Sequence, residues 1–418
     1  MKNSARHAAY KALIDIEKDN AYSNMALNHY LRDLEPREQA LAREICYEVL
    51  KRKYLLDAYL RGFITKGFNK LETGLLTILR MGACEILFMD GVPDYASINE
   101  AVDLAKRYAK GRAPFVNGVL RNLARNRDSL KEPDDISVRY SVNKWIADLL
   151  IKALGPEGAE EYLRYSLETP ELCIRVNLLK NTREELRDAL EKEGFRVSLS
   201  ALSPRCLKVI GTGILETEAF RMGRFSVQDE ASLYAADMAG AKEGMKVLDL
   251  CAAPGGKSCA IGEAMGNKGL IISQDIYEHK LRVIDSYAER TGINIIETRQ
   301  RDGSVPVPEY EGQFDLVICD VPCTGLGVLR RKPEIKYKES PDLKGLNELQ
   351  LKILMNGASY VREGGILMYS TCTVTREENE ELVSRFLGEM PGFVLDKDIR
   401  LGPETGTDGF YAARFRRI

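Results

Sequence analysis

The hydrophobic pattern of this chain changes period partway along, and that change limits the folds open to it. Up to about residue 128, apolar residues recur at helical spacing, as in Leu41, Ile45 and Val49, then Leu75, Leu79 and Ile86, then Phe115, Val119 and Leu123. Polar breaks such as Leu34-Glu35-Pro36 and Asp90-Gly91-Val92-Pro93-Asp94 separate these stripes. From residue 246 onward, short apolar runs alternate with helical stretches: 246–250, 270–275, 294–298, 314–320 and 366–371. Near-continuous apolar runs of that length predict strands buried on both faces, hence a mostly parallel, doubly wound sheet. The chain of 418 residues is long enough for several cores. It is expected to be multidomain, with an all-α head over 1–130 and an α/β Rossmann-like domain over 226–418.

The stretch between the two is mixed. Lys131-Glu132-Pro133-Asp134-Asp135 opens a polar linker, taken as 131–140. Helices are expected over about 141–168, interrupted at Gly155-Pro156. Cys173-Ile174-Arg175-Val176-Asn177 then reads as a strand, Thr182 with Glu185 as a capping box opening a helix to about Glu193, and 195–200 as a further strand. The segment 141–225 is therefore expected to be helical plus a small α+β module. That layout is RRM-like and also occurs in RNA-binding folds, but a fold alone does not specify a function.

Charge follows the same division. Overall, 60 Lys and Arg nearly cancel 62 Asp and Glu. Residues 1–130, however, hold 21 basic against 16 acidic side chains, a net of +5, which leaves −7 for the rest. Basic residues of the head gather in Lys51-Arg52-Lys53, Lys106-Arg107, Lys110-Gly111-Arg112, and Arg121, Arg125 and Arg127. A solvated helix face explains any one cluster; several on a net positive domain favour an RNA-facing surface.

The start, MKNSARHAAYKALIDIEKDN, has no apolar signal-peptide core, and no 18-residue apolar run suggests a membrane span. A cytoplasmic protein with reduced thiols and no membrane partner is expected. With no C-x-x-C pair, and His7, His29 and His279 far from any cysteine cluster, no metal site is expected.

The expected sheet directs attention to residues just past its strands, where ligands of such folds bind. The first strand runs into Cys251-Ala252-Ala253-Pro254-Gly255-Gly256-Lys257. Small residues and paired glycines admit a ligand close to the backbone, and the following helix offers its N-terminal N–H groups. The loop is neither G-x-G-x-x-G nor a P-loop, which disfavours dinucleotide and ATP readings. Asp275 ends the second strand and is placed to accept ribose hydroxyls; Asp302 follows the third and is placed at an adenine edge. A cofactor with an adenosine-like nucleoside is expected. The fourth strand ends in Asp320-Val321-Pro322-Cys323 and the fifth in Ser370-Thr371-Cys372. If these strands are neighbours, about 4.8 Å apart, both thiols reach one pocket beside Asp320. Cys46, Cys84, Cys173, Cys206, Cys259 and Cys319 are expected to be core residues. A packing role or a backbone contact suffices for Cys251.

Two thiols, a carboxylate and a nucleoside cofactor suit methylation of cytosine at carbon 5. That carbon is a poor nucleophile until a thiolate adds at carbon 6 and makes the ring enamine-like. A carboxylic acid near N3 assists the addition, a base later removes the carbon-5 proton, and the target base must leave its stack.

The motifs Gln228-Asp229-Glu230-Ala231-Ser232, Cys251 to Lys257, Asp320-Val321-Pro322-Cys323-Thr324-Gly325, Ser370-Thr371-Cys372-Thr373 and Asp408-Gly409-Phe410-Tyr411 resemble those of the RNA cytosine-C5 methyltransferases. In the head, the run from Ala96 to Lys106 and Phe115-Val116-Asn117-Gly118-Val119-Leu120 resemble the NusB-type RNA-binding domain. Together they resemble the bacterial RsmB (Fmu, Sun) type, NusB-like head plus NOL1/NOP2/Sun-family domain, which methylates 16S ribosomal RNA. The resemblance implies S-adenosylmethionine as cofactor and 16S rRNA as partner, an early small-subunit assembly state included; a monomer is expected. It implies that Cys372 is the nucleophile and that Cys323 assists product release. Asp320 would contact cofactor and base, Asp275 the ribose and Asp302 the adenine. The 251–257 loop would wrap the methionine end, with Lys257 toward the catalytic centre. Arg330, Arg331 and Lys332, just past the Cys323 loop, are expected to contact RNA phosphates.

Three alternatives follow from the same residues. DNA cytosine methyltransferases use a Pro-Cys nucleophile, which here would be Cys323, although Ser370-Thr371-Cys372 favours the opposite assignment. A NusB-like binding factor with a dead sheet domain fits poorly with intact Cys323, Cys372, Asp320 and glycine loop. Small-molecule methylation leaves the basic head without a role.

Overall fold

The computed structural model describes residues 4–19, 21–64 and 66–418. The chain divides into two compact units, residues 1–169 with 329–339, and residues 170–328 with 340–418.

The first unit is helical, and its helices begin where the sequence supplies starts. Pro36 stands in the first turn of Pro36–Lys51 and Pro114 in that of Ala113–Arg125, where a missing N–H costs nothing. The expected stripes face inward: Ile45, Leu79 and Leu123 are completely buried in one core. The helix Lys144–Tyr165 breaks at Gly155, whose φ of 75° leaves the helical region just before Pro156. It belongs to the helical unit.

The segment Leu329–Glu339 also belongs to this unit although it follows the Cys323 loop in sequence. Its anchors are polar. Glu334 accepts from the Ser23 hydroxyl at 2.9 Å, the Tyr337 hydroxyl bonds the Leu50 carbonyl, and the buried Lys336 ammonium faces the carbonyls of Tyr140 and Lys51 at 3.3 and 3.5 Å. Burial with Arg52 and Lys51 nearby pushes the Lys336 pKa down to about 7.

The second unit holds two sheets. The smaller uses β1 (Leu172–Val176), β2 (Arg196–Leu199), β3 (Cys206–Ile210) and β4 (Phe225–Val227), all antiparallel, in the order β2-β3-β1-β4. The helix Arg183–Lys192 covers it and starts at the expected capping box, with Thr182 and Glu185 exchanging hydrogen bonds.

The larger sheet contains β5 (Lys246–Asp249), β6 (Leu270–Asp275), β7 (Ile296–Gln300), β8 (Phe314–Asp320), β9 (Val361–Thr371), β10 (Phe393–Leu401) and β11 (Phe410–Arg417), ordered β10-β11-β9-β8-β5-β6-β7. Strands β5 to β9 pair in parallel, and β10 and β11 add an antiparallel edge. Alternate residues serve opposite cores: Leu316 and Ile318 face one, Val317 and Cys319 the other. Helices on both faces explain the unbroken apolar runs. The order turns back between β5 and β8, which places the topological switch beside the 251–257 loop and Asp320.

Candidate active site

Adjacent parallel strands bring the two cysteines together. Asp320 of β8 lies opposite Ser370 of β9, and each chain then runs two or three residues further to Cys323 and Cys372. Their sulfurs are 3.3 Å apart. Both thiols are partly exposed, as is Cys251, whereas the six cysteines expected in the core are buried.

Asp320 is the centre of this cluster. Its Oδ2 meets the Lys257 ammonium at 2.8 Å and its Oδ1 accepts from the Ser370 hydroxyl at 2.6 Å. Lys257 also lies 5.2 Å from the centre of the Phe410 ring, so the Asp408-Gly409-Phe410-Tyr411 element reaches the same place. The backbone fixes the two loops to one another: Gly327 N donates to the Cys372 carbonyl at 2.9 Å, and Gly409 N to that of Gly327 at 2.8 Å. A Cβ on Gly327 would fall 1.9 Å from the Gly409 oxygen, so only glycine fits.

The Cys323 thiol is pushed above its ordinary pKa, first by its hydrogen bond with Cys372 and then by burial. Asp249, inside the sheet behind the loop, is raised to about 7 by burial, opposed by a 2.7 Å hydrogen bond from Ser258.

Beside the cluster lies a cavity of about 420 Å³, within the usual range for small-molecule sites. Cys251, Ala253, Asp275, Asp302 and Asp320 all line it, with Leu250, Ile276 and Tyr277 supplying apolar wall. Asp275 Oδ1 is set by the Tyr277 N–H at 3.1 Å and Lys280 at 3.4 Å, and Asp302 by the Ser304 N–H at 2.8 Å. Gly255 takes the left-handed conformation, φ 101°, immediately before the helix Gly256–Ala264. Pro254 is exposed and Ala252 buried. Three carboxylates at separate strand ends around an apolar slot fit a nucleoside with a cationic tail.

The Gln228-Asp229-Glu230 motif supports this loop from behind. Gln228 accepts from the fully buried Arg175 guanidinium, which also donates to the Gly256 carbonyl at 2.7 Å and pairs with Glu263 at 3.0 Å. Asp229 caps the helix Glu230–Met238.

The basic run after the Cys323 loop requires a correction. Arg330 is only 7% exposed and its guanidinium lies 4.2 Å from the Tyr165 ring centre, so it packs within the helical unit and is not part of a solvated basic turn. Arg331 is partly buried and Lys332 exposed. A similar correction applies to Lys51-Arg52-Lys53. Lys51 and Arg52 pair with Glu48 and Lys53 with Glu17, which assigns that cluster to the helical core's ion pairs. Lys106, Arg107, Lys110, Arg112, Arg121 and Arg125 remain exposed. Among them, Lys110 and Arg112 join Lys70 and Tyr108 around a cavity of about 320 Å³.

Sequence reasoning passed over Glu378, Gln350 and Asn379, which hold the cysteine loops by hydrogen bonds described below. The run Glu377-Glu378-Asn379-Glu380 looks like a solvated helix start, yet Glu378 and Asn379 are buried.

Family models match three parts of the chain: the NusB family over residues 3–125, the ferredoxin-like domain of RsmF/B-like methyltransferases over 142–213, and the 16S rRNA methyltransferase RsmB/F over 238–416. A probable ribosomal RNA small subunit methyltransferase B of Bacillus subtilis is 37% identical over 444 residues, covering 100% of this chain and 99% of the relative. The ribosomal RNA small subunit methyltransferase B of Shewanella oneidensis is 29% identical, covering 98% of each. One solved crystal structure matches 100% of this chain and 99% of its own, with a TM-score of 0.85 and 26% identity. A methyltransferase homologue from Pyrococcus horikoshii matches 68% of this chain and 98% of its own, with a TM-score of 0.61 and 26% identity. By sequence along its whole length, the chain belongs to the family of ribosomal RNA small subunit methyltransferase B, joining a NusB-family helical head to an RsmB/F methyltransferase domain.

Proposed function

We propose that this protein methylates carbon 5 of a cytosine in 16S rRNA, with Cys372 as nucleophile and S-adenosylmethionine as methyl donor. The observation that carries the reading is the 3.3 Å approach of Cys323 and Cys372 just past the Lys257–Asp320 pair, whose Asp320 lines the carboxylate-bearing cavity.

Asp275 would take the ribose hydroxyls, Asp302 the adenine edge, and the 251–257 loop the methionine end of the cofactor. When bound, S-adenosylmethionine supplies an electrophilic sulfonium methyl group. Cys372 forms a bond to carbon 6 of the flipped base, and the C5–C6 π electrons shift to carbon 5, making it the nucleophile for that methyl. Asp320, held by Lys257 and Ser370, contacts the base near N3; in its acid form it would donate a hydrogen bond or proton there as the addition builds charge on the ring. Once carbon 5 carries the methyl group, a base would take its proton, the C–H electrons would reform the C5–C6 double bond and Cys372 would leave as the thiolate. Cys323 assists this release, beside the departing sulfur.

Two sulfurs 3.3 Å apart can share one proton, a thiol on one stabilising a thiolate on the other. RNA is met by the exposed cations of the head, with Lys110 and Arg112 beside Tyr108, and by Lys332.

The test is transfer of isotope from labelled S-adenosylmethionine to deproteinised small-subunit rRNA, followed by mapping of the modified base. Label recovered as 5-methylcytosine at one position is the expected result. Label on another base, or none with RNA binding retained, would refute the reading; the latter outcome would favour a binding protein.

A further inference from the structure

Two consecutive residues outside the recognised motifs hold the two cysteines, one each. Glu378 and Asn379 are 2% and 0% exposed and immediately precede the helix Glu380–Glu389.

The Glu378 carboxylate is engaged at both oxygens. Oε2 accepts from the Thr324 N–H and from Gln350 Nε2, both at 2.9 Å, and Oε1 from the hydroxyls of Thr324 at 2.6 Å and Thr375 at 2.8 Å. Gln350 Nε2 also donates to the Pro322 carbonyl at 2.9 Å. Through these contacts, Glu378 grips both neighbours of Cys323, Pro322 by way of Gln350 and Thr324 directly.

Asn379 does the same for the other thiol. Its Oδ1 accepts from the Thr371 hydroxyl at 2.6 Å, and its Nδ2 donates to the Thr373 carbonyl at 3.2 Å, so both neighbours of Cys372 are held. The Thr324 and Thr373 hydroxyls, 2.8 Å apart, link the two grips. Because Thr324 Oγ1 donates its own proton to Glu378, the Thr373 hydroxyl is the donor in that bridge.

We propose that Glu378 and Asn379 are separate positioning residues for the two steps of the reaction, Glu378 fixing Cys323 for release and Asn379 fixing Cys372 for attack. The division into steps rests on the roles proposed above; the positioning itself does not. A polar pair buried only for stability would affect both steps alike. Two independent grips make the steps separable, because a displacement of about 1 Å at a reacting group can cost on the order of a hundredfold in rate.

Two measurements on the full-length protein test this. The first follows the covalent RNA adduct in a single turnover. Glu378→Ala should slow adduct release at least about tenfold while leaving its formation within about threefold, and Asn379→Ala should do the reverse. Equal effects on both steps, or no effect on either, would overturn the division.

The second needs neither RNA nor methyl transfer. Diamide, an azo oxidant reduced to the hydrazine as two thiols lose their protons and form a disulfide, should cross-link Cys323 to Cys372 rapidly in the wild type. Each alanine variant should cross-link at least about fivefold more slowly by peptide mass spectrometry, an estimate based on lost alignment of the sulfurs. Unchanged cross-linking would overturn the positioning role whatever the chemistry of the enzyme. A wild type that cross-links as expected but forms no RNA adduct would instead refute the proposed function. Should either alanine variant fail to fold, Gln350→Met and Thr371→Val cut one strand of each grip and carry the same expectations at smaller size.

Discussion

The second unit contains two pairs of neighbouring thiols, and their surroundings make them chemically different. Cys173 and Cys206 sit inside the antiparallel strands β1 and β3, buried, with their sulfurs within 4.8 Å of each other and of a Glu230 oxygen. Cys323 and Cys372 lie past the ends of the parallel strands β8 and β9, partly exposed, beside a cavity and an ion pair. The Cys206 thiol is raised far above its ordinary range, first by its hydrogen bond with Cys173 and then by burial. The Glu230 carboxylate is engaged by the Ser200 hydroxyl and faces the Lys208 ammonium at 3.8 Å. Two sulfurs in contact therefore define a reactive site only where solvent, substrate and a cofactor slot also reach them. Strand ends of a parallel sheet provide that access, whereas strand interiors do not.

Replacement tests the contrast most strongly. Cys372→Ala should reduce methyl transfer by on the order of a thousandfold or more, the scale of losing a covalent nucleophile. Cys206→Ala should leave kcat within about threefold and cost about 1 to 2 kcal/mol of stability, as loss of a small buried side chain does. Steady-state kinetics and denaturant melts read both; comparable activity losses would break the comparison.

The interior can be broken by charge. Arg175→Met removes one partner of the buried pair with Glu263 and the donor to Gly256, and should destabilise the unit by about 3 to 5 kcal/mol. A urea melt checks it, and a cost below 1 kcal/mol would contradict this account of the pair.

A pH series sharpens the same point on carboxylates. Asp249 is neutral in both states only well below its ordinary value of 3.8. As pH rises toward its folded-state pKa of about 7, the unfolded chain ionises first, so Asp249 contributes less stability with each step and its contribution levels off above that value. The slope should approach about 1.4 kcal/mol per pH unit within that window. The difference in stability between wild type and Asp249→Asn should follow this slope in melts from pH 4 to 8; a difference independent of pH would contradict it.

The smallest effect concerns RNA. Lys110→Glu with Arg112→Glu should weaken RNA binding and flatten its salt dependence, leaving cofactor binding unchanged. Titrations at several salt concentrations check this; an unchanged slope would move the RNA surface elsewhere on the head.

Much of the candidate site was legible because strand periodicity marks where a strand ends, and Cys251, Asp275, Asp320, Cys323 and Cys372 all lie at or just past such ends. Bringing the two thiols beside Asp320 needed one assumption, that β8 and β9 are neighbours. Arg330 was misread because a local basic run contains no sign of Tyr165, with which it stacks. Glu378 was missed for a related reason, its partners Thr324 and Gln350 being distant in sequence; Asn379 bonds the nearer Thr371 and Thr373, but Glu-Asn-Glu before a helix has the composition of a solvated turn. The edge strands β10 and β11 were also passed over, since charged residues such as Asp396, Lys397 and Asp398 interrupt the apolar pattern.

The central claim is that two adjacent thiols divide one reaction between them, Cys372 attacking and Cys323 releasing. Denaturing electrophoresis of enzyme mixed with target RNA and S-adenosylmethionine tests it most directly. A covalent adduct absent in Cys372→Ala and accumulating in Cys323→Ala is the result expected. An adduct that survives Cys372→Ala and disappears in Cys323→Ala would contradict the account.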